Sequence, residues 1–474
     1  MQKKILHSIS CAAAFLWAMG IHASGYAQVD FRIHAGNINS AAVEVDRQSI
    51  NLTSVLGLGT NIDIKSVNAT FTKSGTNTAS YNAGIVNAKI IGSAGQIANL
   101  LTLGTSPTAQ LSANYTSIYS SLLSLLSAGL VNIRYTINTP SALTWRAGTY
   151  SNSLEFRLRS LLSISYPQTL TPNISIVVDP FITVSASSQQ LTLTINDLNY
   201  FRTKTLLPLT HRLNIQSTVK PAVQTKAESS SFSYTAGYAG ANISQVQASV
   251  LSTTLQLPGN TSKTIQTSNS FQQLSPSVGH DLVAGNRNDL ELQYSLTAAT
   301  LKSNFLNKGQ YTLNLRHRIS DVETSLATAQ EVPTTIQVTV ADLAELKINH
   351  NDVRLEFKTA EDYRKGVYVD LPAHFTLSAT APYDVYVQAT NSNLHNGASS
   401  IPVQSITISS AADNIPELLT TKLGSTRQKI LSATPVIDRK VNVRYGISAK
   451  DAVNLLNKPA GQSSATVTYS LIAP

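Results

Sequence analysis

The sequence predicts an all-β protein: three tandem antiparallel β-sandwich domains behind a signal peptide. Three observations carry that expectation. Strand-like stretches alternate with period two, one pattern recurs three times along the chain, and charged residues make up only 13% of it. The stretches 191–196 (LTLTIN), 334–340 (TTIQVTV) and 465–471 (ATVTYSL) put apolar residues on one face of a sheet and Thr, Ser or Asn on the other. Threonine on the solvent face explains how so few charges suffice. No segment alternates strand and helix as a parallel sheet requires.

The first element is the N-terminus. Lys3 and Lys4 precede an apolar stretch that is densest from Ala12 to Ile21, and Gly25 and Ala27 occupy the −3 and −1 positions of a cleavage site. This is the pattern of a secretory signal peptide, residues 1–27, with a core too short for a membrane anchor. Cleavage would remove both methionines, Trp17, the single cysteine Cys11 and two lysines but no acid, so the charge falls from +9 to +7. An exported chain without cysteine makes no disulfides, and thiol nucleophiles, Cys-ligated zinc and redox motifs are excluded. With 474 residues and 42% hydrophobic content, the chain has ample material for buried cores and is not a disordered polymer. The signal suits a bacterium, so the expected location is the periplasm, the outer cell surface or the medium.

The repeats follow. Residues 131–158, 290–319 and 441–472 each open with an alternating strand, centred on Tyr135, Tyr294 or Tyr445. Each passes through a loop to Gly148, Gly309 or Gly461 and closes with another alternating strand. Two copies place a tyrosine two residues after the glycine, Tyr150 and Tyr311. Residues 86–91, 245–252 and 402–409 form a second recurring block ahead of the tyrosine strand. A third block joins 190–214 to 353–376: a strand, a Tyr with Arg and Lys, a Leu-Pro step, then His211 or His374. The expected domains are 28–165, 170–322 and 333–474, with linkers near Ser165–Pro172 and Glu323–Pro333. A repeat this long makes separate globular domains, not a solenoid. One stretch departs from the strand pattern. Ser117 to Val131 has leucines at 122, 123, 125, 126 and 130, and is expected as an apolar loop or short helix.

Chemical motifs are missing from the sequence. There is no HExxH, Gly-x-Ser-x-Gly, P-loop, GxGxxG or calcium loop. No catalytic, cofactor-binding or metal-ligating residue is assigned, and no cofactor is expected. His211 and His374 are expected as half-buried strand residues at equivalent places in the repeat. His350-Asn351-Asp352 reads as a hairpin turn, and Glu361-Asp362 with Arg364-Lys365 as a solvated hairpin edge. Arg427, Lys429, Arg439, Lys440 and Arg444 form a modest basic patch. It is expected to be a solvated face, because nucleic-acid binding needs a denser stripe with stacking aromatics.

The closing strands resemble one family. Ala147-Gly148-Thr149-Tyr150 followed by Leu154, Phe156 and Leu158, and Pro459-Ala460-Gly461 ending in Thr468-Tyr469-Ser470-Leu471, are similar to the C-terminal strand of spore-coat-U-type pilins, the subunits of archaic chaperone–usher pili. The likeness covers about 30 residues of each repeat. Those pilins usually carry cysteines and a single domain, and this chain departs from both. The resemblance implies an immunoglobulin-like sandwich and a surface or fibre role. Val29, Phe31 and Ile33 alternate with Asp30, Arg32 and His34, a pattern that suits either a donated arm or the first strand of its own domain. The own-domain strand is the expected role.

The expected function is a secreted, non-catalytic structural or adhesive protein of the cell surface, with a fimbrial or pilus-like subunit as one form. Its expected partners are other surface proteins, or further copies engaged through the N-terminal arm. A surface glycan bound on exposed aromatics such as Trp145, or Tyr234 and Tyr238 around Gly237, is the first alternative. A hydrolase whose residues meet only in the fold is the second. No nucleic acid and no membrane span after cleavage are expected.

Overall fold

The computed structural model describes residues 28–473, apart from 53–58, 76–79, 96–100, 102–103, 123–128, 160–165, 171, 204–206, 242, 257–262, 397–398 and 412–417. The signal-peptide segment therefore lies outside the described residues. The chain is all-β, and its sheets are overwhelmingly antiparallel. It divides into two compact units, one running to Phe181 with Val283–Asn286, the other comprising Ile182–Leu282 and Arg287–Pro474.

In the first unit one sheet runs Val29–Ile33, Asn173–Val178, Gly148–Arg159, Asn61–Ser66, Thr116–Ser120. The other runs Ala42–Leu52, Gly129–Asn138, Val86–Gly95, Ala109–Gln110. Phe31, Ile64, Tyr150 and Phe156 from the first sheet share one buried cluster with Ile90, Ile133 and Tyr135 from the second. The closing strand Gly148–Arg159 shows how the pattern works: Tyr150, Asn152, Leu154, Phe156 and Leu158 are buried, and the residues between them face outward. Each fully buried large apolar side chain contributes about 1.5–3 kcal/mol.

In the second unit one sheet runs Ile182–Ala186, Leu207–Ser217, Arg287–Leu296, Ser252–Gln256, Lys263–Gln266. Its companion runs Gln190–Ile195, Gln330–Val340, Gly309–Asp321, Pro221–Ala227, Gln272–Gln273. A third pair follows: Ala344–Ile348, Gly366–Ala379, Val436–Ser448, Thr407–Ser410, Thr421–Lys422, and opposite it Gln428–Ala433, Tyr383–Ala389, Val467–Ile472. Each recurring tyrosine finds a polar partner inside its core. Tyr135 Oη donates to Ser49 Oγ at 2.8 Å, Tyr294 Oη lies 2.9 Å from His317 Nε2, and Tyr445 Oη lies 3.4 Å from His374 Nε2.

Several expectations are corrected. Part of Ser117–Val131 is strand, not loop or helix: Thr116–Ser120 and the start of Gly129–Asn138 pair into sheets, with Ile118 and Tyr119 fully buried. The stretch between them, 123–128, lies outside the described residues. The run Glu361 to Lys365 is not a hairpin edge but the helix Ala360–Lys365. Thr359 and Asp362 close a capping box there, and Glu361 pairs with Arg364 and with Lys365, one and the other a helical turn away. His350–Asp352 is not a turn either; it opens a segment, 350–357, whose side chains alternate between exposed and half-buried from Asp352 onward.

His211 and His374 are fully buried rather than half-buried. They are also not strict counterparts. His211 sits in an unbroken ladder opposite Leu292, whereas His374 lies in a register shift between Leu371 and Phe375, after Ala373 at φ +49°. The extra residues of that bulge turn a second side chain inward.

Strand pairing also crosses the expected boundaries. Asn173–Val178 pairs back onto the first sheet, and Gln330–Val340 onto the Gly309–Asp321 strand, so the stretch expected as a linker up to Pro333 is partly ladder.

Candidate functional site

The site is an open sheet edge, and it is recognised by comparing the three closing strands. A glycine of nearly identical conformation opens the first two and precedes the third by six residues: Gly148 φ +143°, Gly309 φ +144°, Gly461 φ +143°. A side chain is strained in that region, which is why the repeat keeps glycine there.

In the first unit Asn173–Val178 lies between two strands. It runs antiparallel to the closing strand, with Gly148 opposite Val178, Tyr150 opposite Ile176 and Asn152 opposite Ile174. It runs parallel to Val29–Ile33, with Val29 opposite Ile174, Phe31 opposite Ile176 and Ile33 opposite Val178. The second closing strand is treated alike. Gly309 faces Val340, Tyr311 faces Val338, Leu313 faces Ile336 and Leu315 faces Thr334. On its other side the inserted strand Gln330–Val340 runs parallel to Gln190–Ile195, with Leu193 opposite Val338 and Ile195 opposite Val340. The steps agree one for one between the two pairs.

The loop that returns the second inserted strand is held by Asp321. Its carboxylate accepts hydrogen bonds from the backbone N–H groups of Glu323 (2.9 Å), Thr324 (3.0 Å), Leu326 (3.0 Å) and Ala327 (3.3 Å), and from the Thr324 hydroxyl. Burial pushes its pKa up, but these donors prevail and hold it below the ordinary carboxylate value.

The third closing strand, Val467–Ile472, pairs with Tyr383–Ala389. Its other edge meets no strand among the described residues, and the segment 350–357 has no ladder partner either. Counting back from the helix N-caps Asp197 and Thr359 makes Val353, Leu355 and Phe357 the counterparts of Leu191, Leu193 and Ile195. Burial records the difference. Tyr311, Leu313, Leu315, His317 and Ile319 are fully buried, whereas Ser463, Ala465, Val467, Tyr469 and Leu471 are only half-buried.

An edge of this kind offers a row of N–H and C=O groups and an apolar face to a further strand. Its surroundings carry little free charge. Arg354 pairs with Asp352 at 2.8 Å and Lys358 with Glu356, all on the outward side of 350–357. Beneath the edge the rings of His350 and His374 stack 6.0 Å apart, and the Tyr445 and Tyr469 hydroxyls bond to each other. Burial, then the neighbouring His350, lower the His374 pKa to about 4, so His374 is neutral at pH 7.

The residues singled out by sequence fall elsewhere. Val29, Phe31 and Ile33 are fully buried as the first strand of their own unit, so the N-terminal arm is not a free means of self-association. Trp145 is fully buried, its Nε1 donating to Pro140 O at 2.9 Å, and offers no sugar platform. Tyr234 and Tyr238 are tied by their hydroxyls to Lys308 O and Asn307 Oδ1. In the basic patch Lys429 pairs with Asp384 at 2.8 Å and Arg444 with Asp370.

A shallow cleft brings two carboxylates together, Glu345 and Asp438, but both bind Arg202 Nη2, at 2.6 and 2.9 Å. Arg202 outweighs the effect of burial on Asp438 and keeps it below the usual carboxylate value, which leaves it no proton to donate at pH 7. Among the described residues no three His, Cys, Asp or Glu side chains gather as a metal site. Sequence reasoning found the strand at 334–340 but missed that it, like 173–178, pairs back onto the closing strand before it, although a signal existed: Ile174-x-Ile176-x-Val178 and Ile336-x-Val338-x-Val340 each follow a closing strand.

No family model matches the chain, and no curated protein does. Among solved structures it is similar to CfaE, the adhesive subunit of CFA/I fimbria of enterotoxigenic Escherichia coli: 10% identity, 67% of this chain and 98% of that one, TM-score 0.30. The CupB6 tip adhesin from Pseudomonas aeruginosa matches at 9% identity, 67% and 98% coverage and TM-score 0.28. The CsuC–CsuE chaperone–tip adhesion subunit complex from the archaic chaperone–usher Csu pili of Acinetobacter baumannii matches at 12% identity, 61% and 100% coverage and TM-score 0.27. No helix among the described residues is long and apolar enough to cross a membrane.

Proposed function

We propose that this chain is a non-catalytic structural and adhesive subunit of an exported surface fibre. In this reading it is built of three sandwich modules, and the third is completed by a strand from another chain. One observation carries the proposal: three closing strands share a glycine geometry and an alternating pattern, two are buried beside an inserted strand, and the third is half-exposed without one among the described residues. The first two modules supply the missing strand from the chain that follows their own closing strand. The third offers the same edge to an extended Ile/Val-alternating segment, which would gain backbone hydrogen bonds on both sides and bury the half-exposed row.

The test uses the chain from residue 28 to 474 and a fluorescent peptide with the sequence of residues 330–340. The expected result is uptake of one peptide per chain, lost in Val467→Asp and Leu471→Asp. No uptake, or uptake that both substitutions leave unchanged, would overturn the proposal.

A further inference from the structure

Resting on the strand-acceptor reading, we infer that the strand completing the third module carries a large apolar side chain, aromatic or leucine-sized, at the step facing Ser463. The other two modules show how that step is filled. Their closing strands place Tyr150 and Tyr311 there, both fully buried. The Tyr150 hydroxyl donates to Arg146 O at 2.9 Å, and the Tyr311 hydroxyl to Asn307 O at 3.0 Å. Each ring packs on a second tyrosine, Tyr81 at 4.5 Å and Tyr234 at 4.7 Å between centroids. Opposite these rings the inserted strands bring only Ile176 and Val338. A large residue on the closing strand is matched with a medium one on the inserted strand.

The third module lacks both rings. Ser463 stands two residues after Gly461, where Tyr150 and Tyr311 stand after their glycines. The counterpart of the first unit's partner, Tyr81, is no tyrosine either. The Phe71–Tyr81 pair of the first unit corresponds in register to Leu394–Ile401, since Thr72 faces Ser80 as His395 faces Ser400. Phe357, the counterpart of the fully buried Ile33 and Ile195, remains half-buried at this end of the groove. Side chains directly opposite on one sheet face compensate for one another's size. An incoming isoleucine or valine would leave the space of a tyrosine ring empty, and empty apolar space costs affinity. The incoming strand therefore fills it from its own side.

Two peptides test this on the full chain: residues 330–340, with Val338 at the relevant step, and the same peptide with V338F. The natural chain is expected to bind the V338F peptide at least tenfold more tightly. Ser463→Tyr restores the ring on the closing strand and is expected to reverse the order. Ser463→Leu, a smaller change at a half-exposed position, is expected to narrow the gap if the tyrosine variant folds poorly. Equal binding of both peptides, or preference of the natural chain for Val338, overturns this inference and leaves the strand-acceptor reading standing. Binding of neither peptide overturns both.

Discussion

The strands Gly309–Asp321 and Val467–Ile472 follow the same glycine conformation and the same inward–outward alternation, yet one is a core strand and the other an edge. Local pattern explains why both are strands and which face each turns inward. It does not explain their burial, which depends on whether a further strand lies alongside. The sheet edge is thus a property of what the chain places next to a strand.

The comparison can be broken most sharply at one step. Leu315 and Val467 stand at the same distance from their glycines, but Leu315 is fully buried and Val467 half-exposed. Leu315→Asp should destabilise its sheet pair by roughly 4 kcal/mol or more, since it buries a charge without a partner. Val467→Asp should cost about 1 kcal/mol in the isolated chain, within the range of partly exposed sites. Native-state hydrogen exchange read separately at each closing strand checks both.

Acid separates the closing strands next. The position of Phe156 in the first closing strand is taken by His317 in the second and Tyr469 in the third. Burial, helped by His211, lowers the His317 pKa to about 3. The unfolded chain therefore binds the proton more readily. Stability at this site is complete above the unfolded value near 6.5 and falls by about 1.4 kcal/mol per pH unit as pH drops from there toward 3. His317→Phe should flatten that slope in its own sheet pair while lowering stability at pH 7, because Tyr294 loses its partner. An unchanged slope would contradict the assignment.

A smaller effect is expected at Asp321. Asp321→Ala frees the N–H groups of the return loop and should cost about 2 kcal/mol. The wild-type carboxylate contributes above its unfolded pKa, and that contribution is lost as pH falls through its lowered folded value. The loss should appear first as faster exchange in Gln330–Val340.

The smallest contrast is between glycines. A Cβ on Gly309 would lie 2.5 Å from Thr235 O, whereas on Gly461 it would meet the Asn396 amide nitrogen at 2.7 Å, and that side chain can move. Both alanine variants pay for the backbone conformation, and Gly309→Ala should cost about 1 kcal/mol more than Gly461→Ala. Urea unfolding of the two variants checks the order.

The sequence disclosed the strands because period two is a direct imprint of a half-buried sheet, and it disclosed the repeat because tyrosine, glycine and alternation recur in the same order. It hid the inserted strands, since the alternation of 173–178 and 330–340 shows that they bury a face but not against which sheet. The Ala360–Lys365 helix was hidden because its signal is a capping box only four residues long. His374 was misplaced by a bulge that leaves no trace in composition. Ser463 was visible as a missing tyrosine, but its meaning required the register.

The most direct measurement of the central claim is amide hydrogen exchange of the three closing strands, with and without the 330–340 peptide. The account predicts that the Val467–Ile472 region exchanges far faster than Gly148–Arg159 and Gly309–Asp321 in the chain alone, and that the peptide slows it to their level. Equal protection of all three strands without peptide, or no change on adding it, would contradict the open third edge.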